Sequence, residues 1–151
     1  MSVKGSCGWR RRELLVASVA AVVSASGCSA LGSQQEPLVA DGALRPVLKT
    51  ARAMVAAYEA VAESDGADKK TLDVLRDNHN EHVKALAKLV GESASADAKP
   101  AAGSLEELRT AESKAKREAV DACVSAPTQY AVLLGEIAAC RASHHDVLGS
   151  L

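Results

Sequence analysis

Four side chains able to bind a metal or move a proton sit at helical spacing inside otherwise apolar stripes. His79 and His82 belong to the repeat Leu72, Leu75, His79, His82, Leu86, Leu89, whose 3-4-3-4-3 spacing keeps all six on one side of a helix. Glu112 takes a place in Leu105, Leu108, Glu112, Ala115, Ala119, Ala122. His144 does so in Tyr130, Leu133, Ile137, Cys140, His144, Val147, Leu151, while His145 and Glu136 fall off these stripes. Imidazole and carboxylate are ligands that zinc, iron or copper accept, so His79, His82, Glu112 and His144 are candidate metal ligands. A buried polar group is costly unless it is paired, which leaves a second reading open. In that reading the same residues form a hydrogen-bonded layer, Glu112 pairing with His82 or His144, that fixes helix register. The chain carries no nucleophile–base pair at legible spacing, no phosphate loop and no Cys-x-x-Cys motif.

The elements that must hold these groups are helices. A first helix is expected from about Leu44 to Glu63, with Leu44, Val47, Leu48, Ala51, Met54, Val55, Tyr58 and Val61 on its apolar side and Ser64-Asp65-Gly66 as its stop. A second runs from about Lys69 to Val90 and ends at Gly91. The small, polar stretch Glu92 to Gly103, with Pro100, reads as a loop. Ser104 and Glu107 form a capping box that opens a third helix reaching about Ser125. Pro127 suits the first turn of a fourth, which continues to the C-terminus. Beyond Cys28 the only aromatics are Tyr58 and Tyr130, and β-branched alternation is almost absent. Both features argue for close-packed helices over strands. The expected fold is all-α, an up-down-up-down four-helix bundle. At ~1.5 Å rise per residue, His82 and Glu112 fall at one level, with His144 about one turn above, and His79 and Tyr58 about one turn below.

The first residues read as an address. Lys4, Arg10, Arg11 and Arg12 precede the apolar run Leu14 to Ala25, and small residues follow in Ala25-Ser26-Gly27-Cys28. That order is a secretory signal, and the run is too short for the ~20 apolar residues a spanning helix needs. Ser26-Gly27-Cys28 resembles the lipobox of bacterial lipoproteins, with Ala25 where that family more often has leucine. The resemblance implies cleavage between Gly27 and Cys28 and a diacylglyceryl group on the Cys28 thiol. Membrane lipid is then the partner, and the cell membrane, on its extracytoplasmic face, the location. Arg11-Arg12-Glu13-Leu14-Leu15 is similar to the twin-arginine signal, which exports folded proteins, and the general secretory route stays open beside it. The organisation expected is residues 1–27 as signal, 28–43 as lipidated cysteine and flexible tether, and 44–151 as the bundle. Of the 18 basic residues four precede Cys28, and of the 19 acidic ones a single residue does, so the remainder is net negative by about four. It lacks the basic stripe a nucleic-acid partner would need.

The stretch from Arg76 to Leu86, with His79 and His82, resembles the second helix of ferritin-like domains in exported proteins of high-GC bacteria. The stretch from Leu133 to Leu148 is similar to their last helix. The resemblance covers roughly residues 44–151 and implies a ferritin-like bundle of uncharacterised function. Ferritin-like di-iron sites use Glu-x-x-His pairs, and here the third residue before His79 is Arg76 and before His82 is His79. With Cys28 on lipid, Cys123 and Cys140 remain as a pair that could be bridged in an oxidising compartment. A turn near Pro127 sets them ~15 Å apart along the bundle, against the ~7 Å a bridge tolerates. The function expected is a non-catalytic envelope lipoprotein whose bundle binds a protein partner or small ligand, or serves as a structural module. The alternative is a metal-binding or redox-active protein using a zinc or iron ion at the His/Glu site.

Overall fold

The computed structural model describes residues 36–64, 68–95 and 97–151, all within the compact unit Gln34–Leu151. The signal, Cys28 and the first part of the tether lie outside the described residues, as does the stop at Asp65-Gly66. Four helices make up the fold: α1 (Glu36–Ser64), α2 (Lys69–Val90), α3 (Leu105–Ser125) and α4 (Thr128–Leu148), with no strand among the described residues. No helix among them is long and apolar enough to cross a membrane.

Most helix ends follow from local chemistry. Asp68 caps α2 by accepting from the amides of Lys70 and Thr71, and the Thr71 hydroxyl donates to its other oxygen at 2.7 Å. Gly91 ends α2 at φ +69°, a left-handed conformation that glycine adopts without a Cβ penalty. The Ser104 hydroxyl accepts from the Glu107 amide, and the Glu107 carboxylate returns to the Gly103 amide at 2.9 Å. The capping box therefore closes one residue upstream of the expected Ser104 amide. Pro127 stands just before α4 as its cap residue.

The start of α1 corrects the expected tether. The helix begins at Glu36 and runs through Gly42 and Pro46, so residues 36–43, read as flexible, are helical. Pro46 has no N–H to give the Gly42 carbonyl, which is why a start near Leu44 looked natural from sequence. The apolar stripe downstream carries the helix past this cost. Leu44, Val47, Leu48, Ala51, Met54, Ala57, Tyr58 and Val61 are all buried.

Helix directions correct the expected topology as well. One half of the core joins the N-terminal part of α1 (Leu44, Val47, Leu48) to the C-terminal parts of α2 (Val83, Leu86) and α3 (Ala119, Ala122) and the N-terminal part of α4 (Leu134, Ile137). The other half joins Met54, Tyr58 and Val61 to Leu72, Leu75, Leu108 and Leu148. The order is therefore up, down, down, up, not up-down-up-down. Parallel α2 and α3 require the chain to return along the bundle between them, and residues 91–104 do so. Fourteen residues can span ~45 Å extended, against ~31 Å for the length of α3. The return is fastened to α1 by ion pairs from Arg45 and Arg52 to Glu92 and by the Ala101 amide donating to the Ala53 carbonyl at 3.2 Å. The stretch is thus a pinned crossover. Around the bundle α1 packs on α2, α4 on α3 and α1 on α3, while α2 and α4 meet only sparsely.

Candidate metal centre

A polar layer separates the two apolar halves of the core. Four helices deliver it: α1 brings Tyr58, α2 brings His79, α3 brings Glu112, and α4 brings His144. All four are buried, at most 1% exposed. Their meeting point is one oxygen. Glu112 Oε1 accepts from the Tyr58 hydroxyl at 2.6 Å, from His79 Nε2 at 2.7 Å and from His144 Nδ1 at 3.0 Å. The two ring nitrogens are themselves 3.2 Å apart. His79 Nε2, His144 Nδ1 and Glu112 Oε1 therefore outline a small triangle.

The outer side of His144 fixes its tautomer. Its Nε2 lies 3.2 Å from Asn78 Nδ2 and 3.3 Å from Cys140 Sγ, and both of these can only donate usefully to it. Nδ1 then carries the proton that is given to Glu112. Burial pushes His79 below the ordinary histidine range, and this outweighs the hydrogen bond and charge of Glu112, which act upward. The 2.7 Å contact is thus a neutral imidazole donating to a carboxylate. For Glu112 burial acts upward, but the hydrogen bonds from His144 and His79 outweigh it and hold the carboxyl well below its usual range. Tyr58 is pushed strongly up, by burial first and then by the Glu112 charge, so it stays a phenol and a donor.

Two atoms of the layer have no partner among the described residues, His79 Nδ1 and Glu112 Oε2. Buried polar atoms seldom go unpaired, and an unpaired carboxylate oxygen beside two neutral imidazoles has a ligand's chemistry. The ionised carboxylate has a counter-charge nearby in Arg141, a fully buried guanidinium on α4. Arg141 donates to the carbonyls of Ala115 (2.8 Å) and Val47 (3.4 Å) and lies 4.0 Å from Glu118 Oε2.

Of the four candidate ligands, the fold brings His79, Glu112 and His144 together and leaves His82 beside them. The His82 ring stands edge-on to that of His79, centroids 5.6 Å apart, and only half-buried. Burial pushes it down to about 3, and the neighbouring His79, Arg141 and His144, against which a second positive charge would be placed, add to the effect. His79, not His82, shares the level of Glu112 because α3 runs parallel to α2 where the expected up-down-up-down order made it antiparallel, and a straight helix also drifts ~20° per heptad off a 3.5-residue stripe. The same drift buries Val83 and Ala87 and turns Leu89 toward solvent. Cys123 and Cys140 are unbridged: the first donates to the Ala131 carbonyl at 3.2 Å, the second sits at His144. Each meets a different stretch of α4, as the distance along the bundle requires.

Sequence reasoning missed Arg141 and Asn78. Arg141 follows Cys140 and precedes His144 among alanines, and a lone arginine in so apolar a stretch was a signal. Asn78 carried none, being one polar residue among several on α2. No family model matches the chain, and neither a curated protein nor a solved structure shows significant similarity to it.

Proposed function

We propose that this chain is an exported lipoprotein, held through Cys28 on the extracytoplasmic face of a bacterial plasma membrane, whose bundle binds a transition-metal ion at His79, His144 and Glu112. The basic, apolar and small-residue segments before Cys28 support the address and the anchor. Two acyl chains make such an anchor stable where one is marginal. The pinned crossover between parallel α2 and α3 supports a ferritin-like topology, since one long crossover is the mark of that arrangement.

The metal reading is carried by one observation: ligand atoms from three helices converge with separations of 2.7, 3.0 and 3.2 Å inside the buried core. Ligands ~2.1 Å from one ion lie ~3.0 Å apart at right angles and ~3.4 Å apart in a tetrahedron. The three atoms therefore need only small shifts to share an ion. Two imidazoles and one carboxylate suit zinc or iron; on binding, the His79 proton would leave Nε2 for the unpartnered Nδ1, and the His144 proton would leave Nδ1 for Nε2, where Asn78 would turn its side-chain oxygen to accept it. A di-iron centre would need Glu-x-x-His pairs that the chain lacks. The role proposed is binding, not catalysis.

A second reading has its own observation. Glu112 Oε1 already accepts three hydrogen bonds, so a metal-free layer that sets helix register is chemically coherent. Titrating the metal-stripped protein with Co²⁺ separates the two. A visible d–d spectrum saturating at one equivalent, lost in His144→Ala, supports the metal site; no spectrum supports the register layer.

A further inference from the structure

The proposed ligands are sealed in the core, so an ion needs a way to reach them. Helix contact is extensive on three sides of the bundle and sparse between α2 and α4, and the groove on the α1–α3 side, lined by Thr50, Met54, Thr110 and Glu118, offers an ion no imidazole. The α2–α4 side carries the bond from Asn78 on α2 to His144 on α4, and Asn78 itself is only half-buried. One turn along α2 from His79 stands His82, also half-buried, its ring 5.6 Å from the His79 ring at 87°. Its inner nitrogen, Nδ1, is buried and finds no hydrogen-bond partner among the described residues. An imidazole between solvent and a buried ligand set, with an unengaged nitrogen, is placed to take an ion and hand it on.

We infer that His82 is a relay ligand, through which a divalent transition-metal ion passes between solvent and the site of His79, His144 and Glu112. The inference rests on the metal reading above. His82 lies outside the triangle of ligand atoms, so its part is in the rates of loading and release. A relay lowers the barrier in both directions and leaves the end states alone.

The test is stopped-flow loading of the metal-stripped full-length protein with Zn²⁺, release into a chelator, and Kd from competition. His82→Ala is compared with His82→Gln, which keeps the volume, and with His145→Ala, which removes a histidine elsewhere on α4. The expected result is loading and release both slowed tenfold or more in the two His82 variants, with Kd within twofold of wild type and His145→Ala unchanged. Unchanged rates in the His82 variants overturn the relay. A Kd weakened tenfold with unaltered loading also overturns it, making His82 a resident ligand. Wild-type protein that takes up no Zn²⁺ overturns the metal reading itself, and the relay with it.

Discussion

Replacing Glu112 tests how the polar layer is held together. In Glu112→Ala, Tyr58, His79 and His144 lose a common acceptor that they reach at 2.6, 2.7 and 3.0 Å. The two imidazoles, 3.2 Å apart, can rescue each other if one changes tautomer. The Tyr58 hydroxyl is then left buried and unpaired, at ~1–3 kcal/mol. The space vacated by the side chain adds ~2 kcal/mol, and Arg141 loses its compensating charge. The first two costs come to about 3–5 kcal/mol, a large part of the ~5–15 kcal/mol that a domain has in hand. Glu112→Gln keeps the shape and one acceptor oxygen but gives up the charge-assisted bonds, so ~1–3 kcal/mol is expected. Urea melts of chelator-treated protein, followed by helix ellipticity, measure both values free of any metal contribution. A Glu112→Ala variant within 1 kcal/mol of wild type would refute the reasoning, as would a Gln variant costing more than the alanine.

Acidification should weaken the fold. His79, His82 and Glu112 are all shifted downward, so the unfolded chain binds more protons than the native one. Stability present above the ordinary histidine range near 6.5 should fall from pH 7 toward pH 4, and a urea midpoint that is flat or rising over that interval would contradict the cause given. Gly91→Ala should cost about 1 kcal/mol by thermal melt, from backbone strain alone, because a Cβ there meets nothing within 4 Å at φ +69°. In a thiol-reagent assay of native protein, half-buried Cys123 should react well before buried Cys140, and equal rates would displace Cys140 from its place beside His144.

The sequence foretold the helices and the chemistry of the layer better than its geometry. Apolar periodicity and the caps at Ser104 and Gly91 placed three of the four helices closely, because those signals are local. The α1 start was hidden because Gly42 and Pro46 both argue against a helix that tertiary burial of Leu44 to Val61 nonetheless supports. Topology was hidden in the length of the segment 91–104. Fourteen residues are more than a hairpin between antiparallel helices needs, and the pattern alone does not tell slack from a crossover. The stripes named His79, Glu112 and His144 correctly as inward-facing, but taking α3 antiparallel to α2 set His82 level with Glu112. The parallel course of α2 and α3 gives that place to His79. Arg141 escaped the stripes altogether, since α4 buries a wider face than a heptad seam and wraps a charge inside it.

The most direct test of the metal site is elemental analysis of the full-length protein, isolated from its own membranes without chelator, beside His79→Ala and His144→Ala variants. The account predicts about one zinc or iron per chain in the wild type and a loss of most of it in either variant. Wild-type protein that is folded and metal-free, or variants that keep the full metal content, would contradict it.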